Sequence, residues 1–343
     1  GYTFFFDNSG VMRYEMVLEG YHSDRFLWDE KDFLITCVGS DKIAKFNRFG
    51  QVVQLYELGD FELHHDINWG PEGTILALAT DTKGETVEDQ VIQIDLDTGE
   101  VTRVVDFTET LDSYFENTRP VTMTDPFFWS EGEWDWLHLN SIQYVEEDNA
   151  IIVSSRETST IIKATLEEPE ILWLIGNPEF WEGTEYEDLS LTQEGDFLFQ
   201  YGQHDVELVR DDSLPDGQYY LRFYNNNYYA MSSRDDFAVE VPEEVSTSST
   251  VEDGANSYVY YYLVDENEGT FTLTDSFSLP YSSLVSNVQD MGDTYVVNNG
   301  VHQCFEEYDK EGNMIRQFQY TCTANGYRVM KGNFEGYWFL SQK

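Results

Sequence analysis

The chain has 343 residues, 41% apolar and 16% aromatic, with 65 acidic against 19 basic side chains and a formal charge of −46. This is enough apolar material for a packed globular core and too much for a disordered chain. So negative a surface repels nucleic acid and anionic membranes, and no stretch approaches the roughly 20 apolar residues of a membrane span, so neither partner is expected.

The carboxylates are scattered along the chain and read as a solvated coat. Cys37, Cys304 and Cys322 fit no zinc spacing and are too few for a disulfide scaffold, although a Cys304 to Cys322 bridge is allowed. The start at Gly1, with neither Met nor signal peptide, reads as a processed or trimmed chain. Tyr and Phe, 23 of each, favour strands over helices.

In chain order, strands are expected at 3–7 and 11–16, then at 33–38, 43–47 and 52–56, with an Asn47-to-Gly50 turn between the last two. The same strand, turn, strand grammar returns at 74–79 and 91–95, followed by the turn Asp97-Thr98-Gly99. It returns again at 150–154, 161–165 and 171–175; at 197–200, 219–224, 258–264 and 271–277; and at 294–298, 304–308 and 315–320. These are five repeated units. Segments 326–330 and 337–340 with the amino-terminal pair complete a sixth, so the expected fold is an all-β, six-bladed β-propeller closed by strands from both ends, which removes sheet edges. The expectation for 1–343 is a single propeller catalytic domain with two long insertions. One, at 107–136, is rich in aromatics and leads into Trp134-Asp135-Trp136-Leu137-His138, reading as a wall over a site; the other, at 225–257, reads as a disordered excursion.

Aligning the units places Asp24, His65, Asn140, His204 and Ser286 at one recurring position, just before the first strand of a blade. An apolar residue follows two positions after each of the last four: Ile67, Ile142, Val206 and Val288. Equivalent positions in a ring surround one mouth, so these polar side chains are expected to share a pocket, with His138 two residues before Asn140. Recurrence in register favours this over an ordinary structural histidine, although repeats also keep polar residues to satisfy turn backbone. Asp205 is a candidate to orient an imidazole or to cap its turn. Arg156 follows the strand at 150–154, and its planar fork suits a tetrahedral oxyanion as well as it suits a salt bridge. His22 and His302 lie outside the register and are read as non-functional.

At these residues the sequence resembles the bacterial aryl-sulfate sulfotransferases that work without a nucleotide sulfate donor. The resemblance rests on Leu63-His64-His65-Asp66-Ile67-Asn68, on Asp135 to Ile142 followed by Ile152-Val153-Ser154-Ser155-Arg156, and on Gln203 to Leu208. It implies a six-bladed propeller, no cofactor, and ping-pong transfer of a sulfuryl group from a phenolic sulfate donor to a phenol through a sulfated histidine. By motif match His204 is the nucleophile; His65, His138, Asn140 and Arg156 surround the sulfuryl group; Ser286 stands where the family carries a threonine. The family's amino-terminal domain is absent, which leaves the oligomeric state open, a homo-oligomer included. An extracytoplasmic location, periplasmic or secreted, follows from the resemblance alone.

The chemistry suits these residue types, since sulfuryl transfer rests on positioning and charge stabilisation. Either His65 or His138 serves as general acid and base. Trp134, Trp136, Phe127, Phe128 and Trp129 offer aromatic faces to an aryl ring. The alternatives are a metal-dependent hydrolase with His65, His138 and His204 as ligands, a sulfatase using water as acceptor, and a non-catalytic ligand-binding propeller.

Overall fold

The computed structural model describes residues 2–17, 25–29, 32–235, 239–252 and 254–340. Among these residues, alternating apolar positions build five antiparallel blades. The first holds Leu27–Asp29, Phe33–Gly39, Lys42–Asn47 and Val52–Glu57; the second holds Phe61–Trp69, Thr74–Asp81, Gln90–Asp95 and Val101–Asp106. Leu139–Val145, Ala150–Ser155, Thr160–Thr165 and Ile171–Ile175 form the third. His204–Val209, Gln218–Asn225, Asn256–Asp265 and Thr270–Pro280 form the fourth, with the short parallel strand Thr192–Gln193 on its edge. Asn287–Asp290, Thr294–Asn299, Cys304–Asp309 and Met314–Gln319 form the fifth.

The expected six blades are therefore five, and among the described residues the closure by terminal strands does not occur. Tyr2–Phe6 pairs only with Met12–Val17, as a separate two-stranded sheet. Segment 326–330 is no strand because side-chain amides take up its backbone: Asn298 Nδ2 donates to the carbonyls of Gly326 and Tyr327, and Asn287 exchanges a pair of hydrogen bonds with Val329. Trp338–Leu340 is a turn of 3₁₀ helix. The two ends meet through side chains instead, in a cluster of Phe5, Phe26, Leu34, Tyr337 and Leu340, with Phe5 edge-on to Phe26 and Phe334.

Two further expectations differ. Segment 197–200 forms no strand, and the fourth blade instead opens at His204 itself. The expected excursion at 225–257 is tied down over its described residues: Tyr228 bridges Ser246, Val239 and Val245 are buried, and Asn227 Nδ2 donates to the carbonyls of Glu244 and Asn256. All three cysteines are free, with Cys304 buried and Cys322 exposed, so the Cys304 to Cys322 bridge is absent.

The core runs between the faces of neighbouring blades. Ile35 and Ile43 of the first blade pack with Ile67, Ile75, Ile92 and Ile94 of the second, all fully buried. Each such side chain contributes about 1.5–3 kcal/mol of burial free energy. The first strands of the second to fifth blades are cross-linked one to the next: Ile142 N donates to Asp66 Oδ2, Val206 N to Ser141 Oγ, and Val288 N to Asp205 Oδ2. These three bonds set the blade register, because the residue before each apolar anchor accepts from the next blade's anchor.

Candidate active site

The register brings His65, Asn140, His204 and Ser286 to equivalent places, each two residues before an anchor; Ser286 lies just before its strand as expected, whereas His65 and Asn140 lie inside a first strand and His204 opens one. Pairing skips at Leu63/Ile67, Leu139/Ser141 and His204/Glu207, so each of three first strands carries a bulge. Bulges re-aim side chains, and here they do so where the histidines lie. His65, His138 and Asp205 stand at φ of 52°, 52° and 58°. Left-handed backbone in non-glycine residues is costly and collects at functional sites. Asp24 and His22 lie outside the described residues.

Three of the predicted histidines converge. The rings of His65 and His138 are 4.7 Å apart, and Tyr327 lies edge-on to both His65 and His204 at 5.4 and 6.2 Å. His65, His204, Asn140 and Arg156 are all buried, whereas the His138 side chain is 20% exposed. Asn140 Nδ2 donates to the Gln203 carbonyl at 2.7 Å, tying the third blade to the residue before His204, while Asn140 Oδ1 is buried without a hydrogen-bond partner among the described residues. Ser286 is spent differently: its hydroxyl meets Ser282 Oγ, the Leu284 carbonyl and Gly300 N, and none of these bonds reaches the imidazoles.

His204 has a defined tautomer. Its Nδ1 lies 2.8 Å from Asn226 Oδ1 and 3.0 Å from the Gly202 carbonyl, both acceptors. The Asn226 amide is itself oriented, since its Nδ2 donates to the carbonyls of Ser282 and Val285 at 2.8 and 2.9 Å. Nδ1 therefore carries the proton and Nε2 the lone pair. Burial holds the His204 pKa down at about 3 against the opposing Asn226 bond, and the neighbouring His138 and Arg156 charges add to the depression. Gly202 permits this geometry: it stands at φ 62°, and a Cβ there would meet the Tyr228 carbonyl oxygen at 2.5 Å. Asp205 does not orient an imidazole. Its carboxylate accepts from Val288 N and faces Arg25 and Arg328, which also bind Asp66.

His138 is poised oppositely. Burial and Arg156 lower its pKa, but Asp135 and Glu88 outweigh them and raise it to about 9. Asp135 Oδ2 is 2.6 Å and Glu88 Oε2 2.7 Å from Nδ1. His65 is held well below its usual value by burial and by the neighbouring His138, His64 and His204. His64 and His65 share a hydrogen bond between their Nδ1 atoms at 3.0 Å.

Arg156 takes the salt-bridge role and keeps one donor spare. Its Nη2 reaches Glu157 at 3.2 Å and Asp135 at 3.4 Å, and Phe127 stacks 3.7 Å from the guanidinium carbon. Its buried Nε has no hydrogen-bond partner among the described residues, which leaves a donor for an anion. Glu157 is anchored by the backbone N–H groups of Ser232 and Ser233. Of the expected aromatic wall, only part faces outward. Trp136 is fully buried and donates to Asp89, Trp134 packs on Phe115, and Phe128 and Trp129 are exposed.

The three-histidine metal set is not assembled: among the described residues, close donor groups are His64, His65 and Glu88, and Glu88, Asp135 and His138, and His204 belongs to neither. In the second group the short contacts are those of an imidazole N–H with two carboxylates. His302 Nε2 bonds the Tyr281 carbonyl, a structural use. Asp135 lay within the quoted motif, but Glu88, Asn226 and Tyr327 carry no local signal and are brought in only by the fold.

Propeller blades surround a cluster of imidazoles and a guanidinium, a donor set whose chemistry suits a small oxyanion. The sequence model of the Arylsulfotransferase (ASST) family matches residues 1–329, and the chain belongs to this family of aryl sulfotransferases. Membership implies small-molecule substrates, an aryl sulfate and a phenol. No curated relative matches the chain significantly. Among solved structures, the chain is similar to the Cps50 (Swd1) β-propeller domain of Myceliophteria thermophila at 9% identity, with TM-score 0.48 and coverage of 94% of this chain and 82% of that one. It is also similar to a putative 6-phosphogluconolactonase from Bacteroides fragilis, at 11% identity, TM-score 0.45 and coverage of 93% and 90%. A Bacteroides caccae protein of unknown function matches at 13% identity, TM-score 0.36 and coverage of 81% and 69%. No helix among the described residues is long and apolar enough to cross a membrane.

Proposed function

We propose that the protein transfers a sulfuryl group from a phenolic sulfate ester to an acceptor phenol, without a nucleotide donor, by a ping-pong mechanism through sulfo-His204. The observation that carries this reading is the His204 tautomer: two acceptors on Nδ1 leave Nε2 unprotonated, and burial keeps the ring neutral. Nε2 attacks sulfur, an N–S bond forms, and the ester S–O bond breaks with its electron pair leaving on the phenolic oxygen. His138 gives that oxygen a proton from Nε2, since its Nδ1 is committed to the carboxylates. The acceptor phenol then returns a proton to His138 as its oxygen attacks sulfur and the N–S bond breaks. Arg156 and Asn140 bind the sulfonate oxygens, and His65, neutral and packed on His138, is a neighbour rather than the acid. Asn140 binds through Nδ2 only if its bond to Gln203 yields, whereas the Arg156 Nε is already free of partners among the described residues. An extracytoplasmic location is proposed on family resemblance alone.

The test is mass spectrometry of protein quenched with 4-nitrophenyl sulfate alone, with a sulfuryl adduct expected on the His204 peptide and missing from His204→Ala. Undiminished turnover in that folded variant would sink the assignment. Nitrophenol release beyond one equivalent is expected only when a phenol is supplied; release without one favours a sulfatase, and loss of activity on chelation favours a metal hydrolase.

A further inference from the structure

Two carboxylates converge on one imidazole nitrogen, and they do so unequally. Asp135 has hydrogen-bond geometry to His138 Nδ1, whereas Glu88 Oε2, at 2.7 Å from the same atom, has no hydrogen-bond partner among the described residues. Glu88 therefore acts on His138 by charge. It comes from a different blade, in the connection 82–89 between the second and third strands of the second blade, and it is fixed at both ends of its own peptide unit. Its N–H donates to Thr80 Oγ1 at 2.9 Å, and its carbonyl accepts from Leu139 N at 3.1 Å, on the strand that follows His138. Glu88 also stands at φ 60°, a left-handed conformation that a glutamate rarely adopts. Together these features hold a negative charge against an imidazole.

Resting on the function proposed above, we infer that Glu88 is a positioning residue for proton transfer: it keeps the proton on His138, and thereby suits the enzyme to sulfate esters of weakly acidic, unactivated phenols. A general acid must still hold its proton at the working pH when the leaving oxygen departs. Ordinary phenols titrate near 10 and depart poorly as anions, and an imidazolium of ordinary acidity, near 6.5, is mostly deprotonated at neutral pH. The charges around His138 are Asp135, Glu88 and Glu133 on one side and Arg156 on the other, with His64, His65 and His204 nearby, and their balance pushes His138 up to about 9. After donating its proton, His138 is a base of matching strength for the acceptor phenol. Nitrophenyl esters depart as anions and need little of this help.

The experiment compares phenyl sulfate with 4-nitrophenyl sulfate in the first half-reaction, across pH, for the wild type, Glu88→Gln and Glu88→Asp, with the His204 adduct measured in the same samples. In Glu88→Gln, the rate with phenyl sulfate is expected to fall about tenfold or more relative to 4-nitrophenyl sulfate, the size of a partly lost general acid. Its alkaline limb is expected to move down by roughly 1–3 pH units, the effect of one adjacent opposite charge. Glu88→Asp, which keeps the charge, recovers part of both and keeps the test readable if the glutamine weakens the fold. Equal slowing of both esters with an unmoved limb assigns Glu88 a purely structural role and overturns the inference. If the wild type forms no His204 adduct, the underlying reading has failed as well, and the two failures are thereby distinguished.

Discussion

Replacing Asn226 by alanine removes three buried hydrogen bonds, and the structure separates what each one does. Two of them, to the carbonyls of Ser282 and Val285, hold the segment entering the fifth blade. The third receives the His204 Nδ1 proton. At about 0.5–1.5 kcal/mol each, their loss costs roughly 2–4 kcal/mol of stability. The catalytic cost is a separate matter. The Gly202 carbonyl still accepts from Nδ1 at 3.0 Å, so the tautomer survives while the ring loses its lateral restraint. The expected fall in the rate of donor cleavage is therefore ~10–100-fold, the scale of a small misplacement, and short of the ~10⁴ that a wrong tautomer costs in a hydrolytic triad. The assay is single-turnover cleavage of 4-nitrophenyl sulfate well below the melting temperature, beside Asp205→Asn. Asp205 serves Val288 N, Arg25 and Arg328, so its variant is expected to melt earlier with a smaller loss of rate. A wild-type rate in Asn226→Ala, with Asp205→Asn the more impaired, would refute the assignment of Asn226 as the orienting residue.

Arg156→Lys keeps a positive charge beside Glu157 but removes the partnerless Nε, and transfer is expected to fall by roughly 10²–10³ in kcat, measured with donor and acceptor saturating. Asp66 sits between Arg25 and Arg328 and also accepts from Ile142 N, so Asp66→Asn removes one of the carboxylates that these buried guanidiniums share and leaves them Asp205 and Glu207; a loss of about 3 kcal/mol, the low end for breaking a buried pair, is expected in denaturant unfolding. The raised pKa of His138 has a sign in stability as well. Its folded value is about 9 against an ordinary 6.5, so its stabilisation is full below pH 6.5 and is lost as pH rises through 9. Melting temperature is expected to decline over that window in the wild type, and the His138→Gln variant is expected to flatten the decline.

The sequence by itself was enough for the all-β repeat, because alternating apolar residues and Asn/Asp-Gly turns are local signals. It was also enough for the register of His65, Asn140 and His204, because each keeps a fixed distance of two residues from a buried anchor. It misjudged the closure. Segment 326–330 has strand-like composition, yet its carbonyls and N–H groups are claimed by Asn287 and Asn298, a competition visible only once distant side chains are in place. It placed Ser286 in register but could not show that its hydroxyl is engaged by Ser282 and Gly300. What distinguishes His65 from His138 was likewise beyond it. His65, His138 and His204 are the same residue with the same ordinary proton affinity, and what separates them is an amide from position 226, a carboxylate from position 88 and the burial of each ring. Electrostatic environment depends on distance in space, and only the folded chain fixes that distance.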